Sequence, residues 1–263
     1  MPSINLSRLR LQAHELAGLL GNPAAFQTSL RSLLDEHSHR LLPRGRSMAR
    51  RSALPAWDVP GLLIRELEAA LLPIAEENSE AARMAAAAIW PTGRLEEKQL
   101  AAFLAGLSRN PGEIRTLLLR WLADTEDPVV LQDLALHTCA PLRNSNELLF
   151  RSDVRAWIMD SVPSRRRFGW MALRAWVQEK QSESIFTAFD LLPAAFPETD
   201  PEAIQLASAL LVSLAEYSPL ETQGWLSELS SKSRQQGRKI LRFALPRLPV
   251  ETAAVLRSLL KEG

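Results

Sequence analysis

Short apolar stripes alternate with short polar breaks along this chain, and the stripes have helical period. Leu117, Leu118, Trp121 and Leu122 form one stripe, Ile204, Ala207, Leu210, Leu211 and Leu214 a second, and Phe186, Phe189, Leu191 and Leu192 a third. Residues three and four apart share one face of an α-helix. Alternating β-branched runs are missing, there is one tyrosine, and the good helix formers Ala, Leu, Arg, Glu and Gln dominate. The breaks carry start signals. Asn22-Pro23, Asn110-Pro111, Asp127-Pro128, Asp200-Pro201 and Ser218-Pro219 each set a capping side chain before a proline, which sits where a helix can spare an N–H. Glu113 and Glu221 follow at the third helical position, as in a capping box. The pattern predicts about thirteen helices, over residues 4–20, 24–37, 59–77, 79–89, 95–108, 111–124, 128–140, 145–161, 164–180, 182–195, 201–217, 219–229 and 232–260, the last broken at Pro246 or Pro249.

Helices of similar length joined by short links pack as antiparallel pairs. NPGEIRTLLLRWLADT with DPVVLQDLALHTCA is one pair, and DPEAIQLASALLVSLAEY with SPLETQGWLSEL is another. Two such helices make a unit of about 35–45 residues, the size of a HEAT-type repeat. The expected fold is all-α: an α-solenoid of degenerate HEAT-like antiparallel helix pairs, spanning 1–263 as one repeat domain. An irregular all-helical globule is the competing arrangement. An irregular basic segment at about 38–58 interrupts the pattern, with no acidic residue before Asp58. It reads either as a binding loop or as a solvated insertion.

Composition removes several classes of function. The net charge of +1 argues neither for nor against a polyanion partner. A lone cysteine, Cys139, allows no internal disulfide and no cysteine zinc cluster, and its apolar surroundings predict a buried thiol. The N-terminus lacks an uninterrupted apolar leader, and AARMAAAAIW is too short to span a bilayer. A cytoplasmic monomer without a membrane role is expected. Phosphate-binding glycine loops, GxSxG and HExxH are absent. EHSH at 36–39 has no second ligand cluster, so neither a metal nor a cofactor is expected.

The distribution of charge is more informative than its sum. One basic cluster lies in the loop, with Arg40, Arg44, Arg46, Arg50 and Arg51. A second comprises Arg151, Arg155, Arg165, Arg166 and Arg167. The third comprises Lys232, Arg234, Arg238, Lys239, Arg242 and Arg247, with no acid between Glu228 and Glu251. Together they read either as solvated helix faces or as the footprint of a nucleic-acid backbone binder. Most of the seven tryptophans fall in apolar stripes and read as core, whereas Trp57, in PAWD, is either exposed or a staple pinning the loop. In SVPSRRRFGWMALRAWVQEK, Ser161 or Ser164 is the expected cap and Phe168, Trp170, Met171, Leu173 and Trp176 the inward face. Its three arginines oppose the dipole of the helix they open, which points to an anionic partner.

VRAWIMDSVPSRRRFGWMALRAWVQEK and DPEAIQLASALLVSLAEYSPLETQGWLSELSSKSRQQGRKILRFAL, within residues 153–245, resemble the helix pairs of the bacterial HEAT-like DNA alkylation-repair glycosylases, the AlkD family. The resemblance implies a concave solenoid that binds duplex DNA and excises cationic alkylated purines, with an aspartate stabilising the sugar cation and aromatic rings on the deoxyribose. Arg167 matches that family's arginine at the head of its helix. The stretch corresponding to its catalytic aspartate is VVLQDLALHTCA, where Asp133 has no tryptophan beside it, and the family's second aromatic position falls on Leu210. Three readings follow: a duplex-DNA-binding repeat protein without catalysis, a scaffold for a protein partner, and an alkylpurine DNA glycosylase working through Asp133.

Overall fold

The structure, a computed structural model, describes residues 6–38, 52–179 and 182–261. Among them the regular structure is entirely helical, as the periodicity predicts, and it gathers into two compact units that meet between Ser145 and Asn146. The first unit holds α1 (Leu6–Ala17), α2 (Pro23–Glu36), α3 (Gly61–Glu77), α4 (Ser79–Ile89), α5 (Leu95–Gly106), α6 (Pro111–Asp124), α7 (Pro128–Asp133) and α8 (Ala140–Ser145). Helices α1, α3, α5 and α7 stack side by side in one layer, while α2 packs on α4 and α6 on α8 in the other. The second unit holds α9 (Glu147–Ile158), α10 (Pro163–Val177), α11 (Ser182–Leu191), α12 (Pro201–Tyr217), α13 (Pro219–Glu228), α14 (Ser231–Gln236), α15 (Arg238–Ala244) and α16 (Val250–Lys261). There α10, α12 and α15 form a row, with α9 and α11 against α10 and α13 against both α12 and α16.

Four of the five proline-flanked caps work as the sequence implies. Asn22, Asn110, Asp127 and Asp200 each accept a backbone N–H of the first helical turn. Ser218 makes no such bond. Neither Ser161 nor Ser164 caps α10: Val162 holds that position without a side-chain bond, and the Asp160 carboxylate accepts the Val162 N–H at 2.8 Å instead. The expected helix over 145–161 is α9, capped by the Asn146 side chain, and the expected link before it holds a further short helix, α8. The expected final helix is broken at its prolines, between α15 and α16, and once more before them, at Gly237. A Cβ on Gly237 would stand 2.7 Å from the Phe196 ring, so ring and backbone pack where a side chain would not fit.

Repeat architecture shows in the long-range hydrogen bonds. Trp90 to Asp124 and Gln99 to Asp133 join residues 34 apart, Arg109 to Glu76 and Arg167 to Asp200 join residues 33 apart, and Arg151 to Glu183 and Ser208 to Ile240 join residues 32 apart. Each is a contact from one helix pair to the next, so the structural period is slightly shorter than the helix lengths suggest. Phe168, Trp170, Met171, Leu173 and Trp176 are all buried, as expected of the inward face of α10, and Cys139 is a buried thiol.

Close approach of α9 and α10 depends on Gly169, where a Cβ would meet the Ile158 backbone nitrogen at 2.7 Å. Gly224, on the exposed side of α13, has nothing within 4 Å of that position. Gly169→Ala is therefore expected to destabilise the protein by about 2–3 kcal/mol. Gly224→Ala is expected to stabilise it by about 0.5–1 kcal/mol. Urea denaturation of the two variants checks both signs.

Candidate functional site

Helix α5 opens with Leu95-Glu96-Glu97-Lys98-Gln99, a run whose polarity suggests an exposed surface. Glu96, Glu97 and Lys98 are instead 5%, 0% and 4% exposed, because α5 is enclosed by α3, α4 and α7. Buried charge is tolerated only when paired, and each of the three has a different partner. Glu96 accepts the Trp57 backbone N–H at 2.9 Å. Glu97 pairs with Arg31 of α2 at 2.9 Å. Lys98 sits 3.8 Å above the Trp90 ring and 3.6 Å from Asp124, while Trp90 stacks on Trp121 with ring centres 4.1 Å apart.

Residues before α3 are tied to the same helix ends. Asp127 caps α7 with one carboxylate oxygen, and its other oxygen accepts from the Ser52 hydroxyl at 2.7 Å and the Ala53 N–H at 3.0 Å. The Arg94 guanidinium lies 3.9 Å over the Trp57 ring. Trp57 is therefore a staple, and it pins this segment to the start of α5. Arg40, Arg44, Arg46, Arg50 and Arg51 lie outside the described residues.

Gln99, next along α5, donates to Asp133 at 2.8 Å. Asp133 ends α7 and is half-buried. Among the described residues it has no cation partner. Burial pushes its carboxyl up to about 6; the negative charge of Asp127 adds to the effect, and the Gln99 bond opposes it. On α3, Glu68 is also raised, first by burial and then by the charge of Asp133, with Arg65 opposing. Glu68, Gln99 and Asp133 recur at repeat spacing along α3, α5 and α7, forming a short row on one layer of the first unit. Immediately after Asp133 the helix widens into a π-helical turn, Leu134–Thr138, an irregularity found often at functional sites. Gly106 permits it, since a Cβ there would lie 2.4 Å from the His137 carbonyl oxygen. The His137 ring meets Phe103 edge to face at 5.7 Å, and burial, helped by Arg143, lowers its pKa.

The second basic cluster is largely neutralised within the fold. Arg151 pairs with Glu183 and Asp190 at 3.0 and 2.8 Å. Arg165 pairs with Asp160 at 3.3 Å, Arg166 with Glu198 at 2.8 Å, and Arg167 with Asp200 at 2.6 Å and Glu202 at 2.7 Å. Asp160 lies below the ordinary carboxylate range because it accepts the Val162 amide and is close to Arg165 and Arg166. Asp200 is lowered by its bond to Arg167. Three arginines at the start of α10 are thus explained without a ligand, and of this cluster only Arg155 is exposed with no carboxylate partner among the described residues. The third cluster differs. Lys232, Arg238, Lys239, Arg242 and Arg247 are exposed, and none of them makes an ion pair among the described residues. Arg234, half-buried, donates to the Ser231 hydroxyl at 3.3 Å and makes no ion pair among the described residues. Sequence reasoning missed Gln99 and Glu68; their spacing from Asp133, one repeat at a time, was the available signal.

Residues 57–240 match the model of a family described as DNA alkylation repair enzyme. That match begins at the Trp57 staple and takes in the Asp133 row, well before the C-terminal stretches that carry the resemblance in the sequence. No curated protein matches the chain, and no solved structure does.

A half-buried carboxylate without a cation costs stability. A carboxyl raised from the ordinary 3.8 to about 6 binds protons more tightly in the folded state, so its destabilising effect is full above about pH 6 and disappears as pH falls towards 4. Asp133→Asn is expected to stabilise the protein by about 1–2 kcal/mol at pH 7.5, after discounting for partial exposure. No gain is expected at pH 4. Denaturation midpoints at the two pH values check the sign.

Proposed function

The chain belongs to the DNA alkylation repair enzyme family, and from that premise we propose that it binds alkylated duplex DNA and hydrolyses the bond between an alkylated purine and its sugar. One observation carries the reading: Asp133 is a half-buried carboxylate held in place by a neutral amide and, among the described residues, without a counter-cation. An alkylated purine is already cationic. Breaking its C1′–N bond sends the bonding pair to the base, which leaves neutral, and leaves the positive charge on the sugar. Water then adds to C1′ and releases a proton to solvent. Such a reaction needs no strong acid, only a fixed negative charge near the developing sugar cation in a partly dry setting. Asp133 supplies that charge, and Gln99 fixes its orientation.

Backbone binding falls to the third basic cluster, since its cations are not matched within the fold. Phosphate contacts of this kind release counterions and weaken with salt. The paired arginines at the head of α10 contribute to the fold instead.

Asp133→Asn is expected to slow release of methylated purines from duplex DNA by about 100-fold or more while leaving duplex affinity unchanged. At sub-saturating DNA, where the rate reports the free protein, release by the unaltered protein is expected to fall as pH drops through about 6, where the carboxylate takes up a proton. Wild-type release rates from Asp133→Asn would refute the role of Asp133. For binding, Lys239→Gln and Arg242→Gln are each expected to flatten the slope of log affinity against log salt by about 0.9, and Arg167→Gln to leave it unchanged. Failure to bind duplex DNA at low salt would refute the whole reading.

A further inference from the structure

One exposed face of the second unit carries more than charge. Along α15 and the turn that follows, Arg238, Lys239, Arg242, Phe243, Pro246 and Arg247 are all exposed. They recur at spacings of three and four, so they share one side of the helix. The opposite side, Ile240, Leu241 and Ala244, is buried. Phe243 stands in the middle of the basic side with 52% of its surface exposed. Arg247 donates from its guanidinium to the Phe243 carbonyl oxygen at 3.3 Å, which ties that side chain back to the last turn of α15. From residue 229 to 250 the chain has no acidic residue, so the face has no internal counter-charge nearby in sequence.

We propose that this face is a single-strand contact, in which Lys239, Arg242 and Arg247 take successive phosphates and the Phe243 ring stacks on an unpaired base. The proposal rests on the DNA-binding function above and goes beyond it by assigning a base contact. Free cations alone fit any polyanion. A flat ring set among them fits a polyanion that also offers flat apolar faces, and every nucleobase has one. A membrane surface would call for several apolar side chains on the buried side of the contact, whereas this stripe has a single aromatic ring. Unpaired bases arise wherever a damaged or excised nucleotide leaves its partner without a complement, so such a contact suits a repair protein.

The test compares four probes at low salt: a single-stranded oligonucleotide, a strand of the same length carrying abasic residues throughout, an intact duplex, and vesicles of phosphatidylglycerol. The unaltered protein is expected to bind the base-bearing strand about tenfold more tightly than the abasic one. Phe243→Ala is expected to bind both strands equally, with its salt slope and melting temperature unchanged because the ring is exposed. Phe243→Trp is expected to keep the preference. Equal binding of the two strands by the unaltered protein, or an unchanged preference in Phe243→Ala, would overturn the base contact and leave duplex binding standing. Binding that depends on Phe243 but is seen only with vesicles would overturn it in favour of a membrane contact. Failure to bind either strand or a duplex would overturn both this assignment and the function beneath it.

Discussion

Burial of the charged residues that open α5 is the constraint on which the first unit depends. Glu96, Glu97 and Lys98 are consecutive, so they point in different directions around the helix, and all are taken out of water. An unpaired buried charge costs several kcal/mol, so the surrounding elements must each supply a partner. Helix α2 supplies Arg31, the segment before α3 supplies the Trp57 amide, and α6 supplies Asp124 together with Trp121, which stacks on the Trp90 ring beneath Lys98. Three neighbours are thereby set in register around one helix. Gln99, the next residue, extends the same logic to α7 by holding Asp133. The position of the candidate catalytic carboxylate is thus a consequence of how α5 is buried.

Charge is divided between two tasks. Arginines that pair at repeat spacing, such as Arg166 with Glu198 and Arg167 with Asp200, bind one helix pair to the next, and their partners' charges cancel theirs. Groups left over have the opposite property: among the described residues Asp133 has no cation partner, and the α15 cations have no acid partner. Leaving a carboxylate half-buried and unmatched works against stability, and the π-helical turn beside it departs from regular hydrogen bonding. Local rules that are broken without a compensating contact are expected at functional or strained positions, and two such breaks, the raised carboxyl of Asp133 and the π-helical turn, lie within a few residues of each other.

Helices, most caps and the inward face of α10 were legible because they depend on neighbours in sequence. A cap needs only its own first turn, and a stripe such as Phe168, Met171 and Leu173 needs only the helical period. Partners about one repeat away were not legible in the same manner. Two of the three arginines of α10, Arg166 and Arg167, looked unexplained because Glu198 and Asp200 lie 32 and 33 residues further on. The burial of Glu96, Glu97 and Lys98 has no local signal, because hydrophobic patterning has no rule for charges that pair inside a layer. Gly237 gave no signal as a break because its reason is the Phe196 ring, which a local reading cannot place. Asp133 itself was found through the family resemblance, whereas the features that set it apart, its burial and its amide partner, come from the fold.

The central claim is that Asp133 waits for a positive charge, and the most direct measurement is an NMR titration of its side-chain carboxyl. In the free protein the midpoint is expected near the raised value of about 6. On adding a duplex that carries a cationic pyrrolidine in place of one sugar, the midpoint is expected to fall by about 1 or more, because a nearby cation favours the ionised form. A midpoint in the ordinary aspartate range without DNA, or one that does not move when the cationic duplex binds, would contradict the claim.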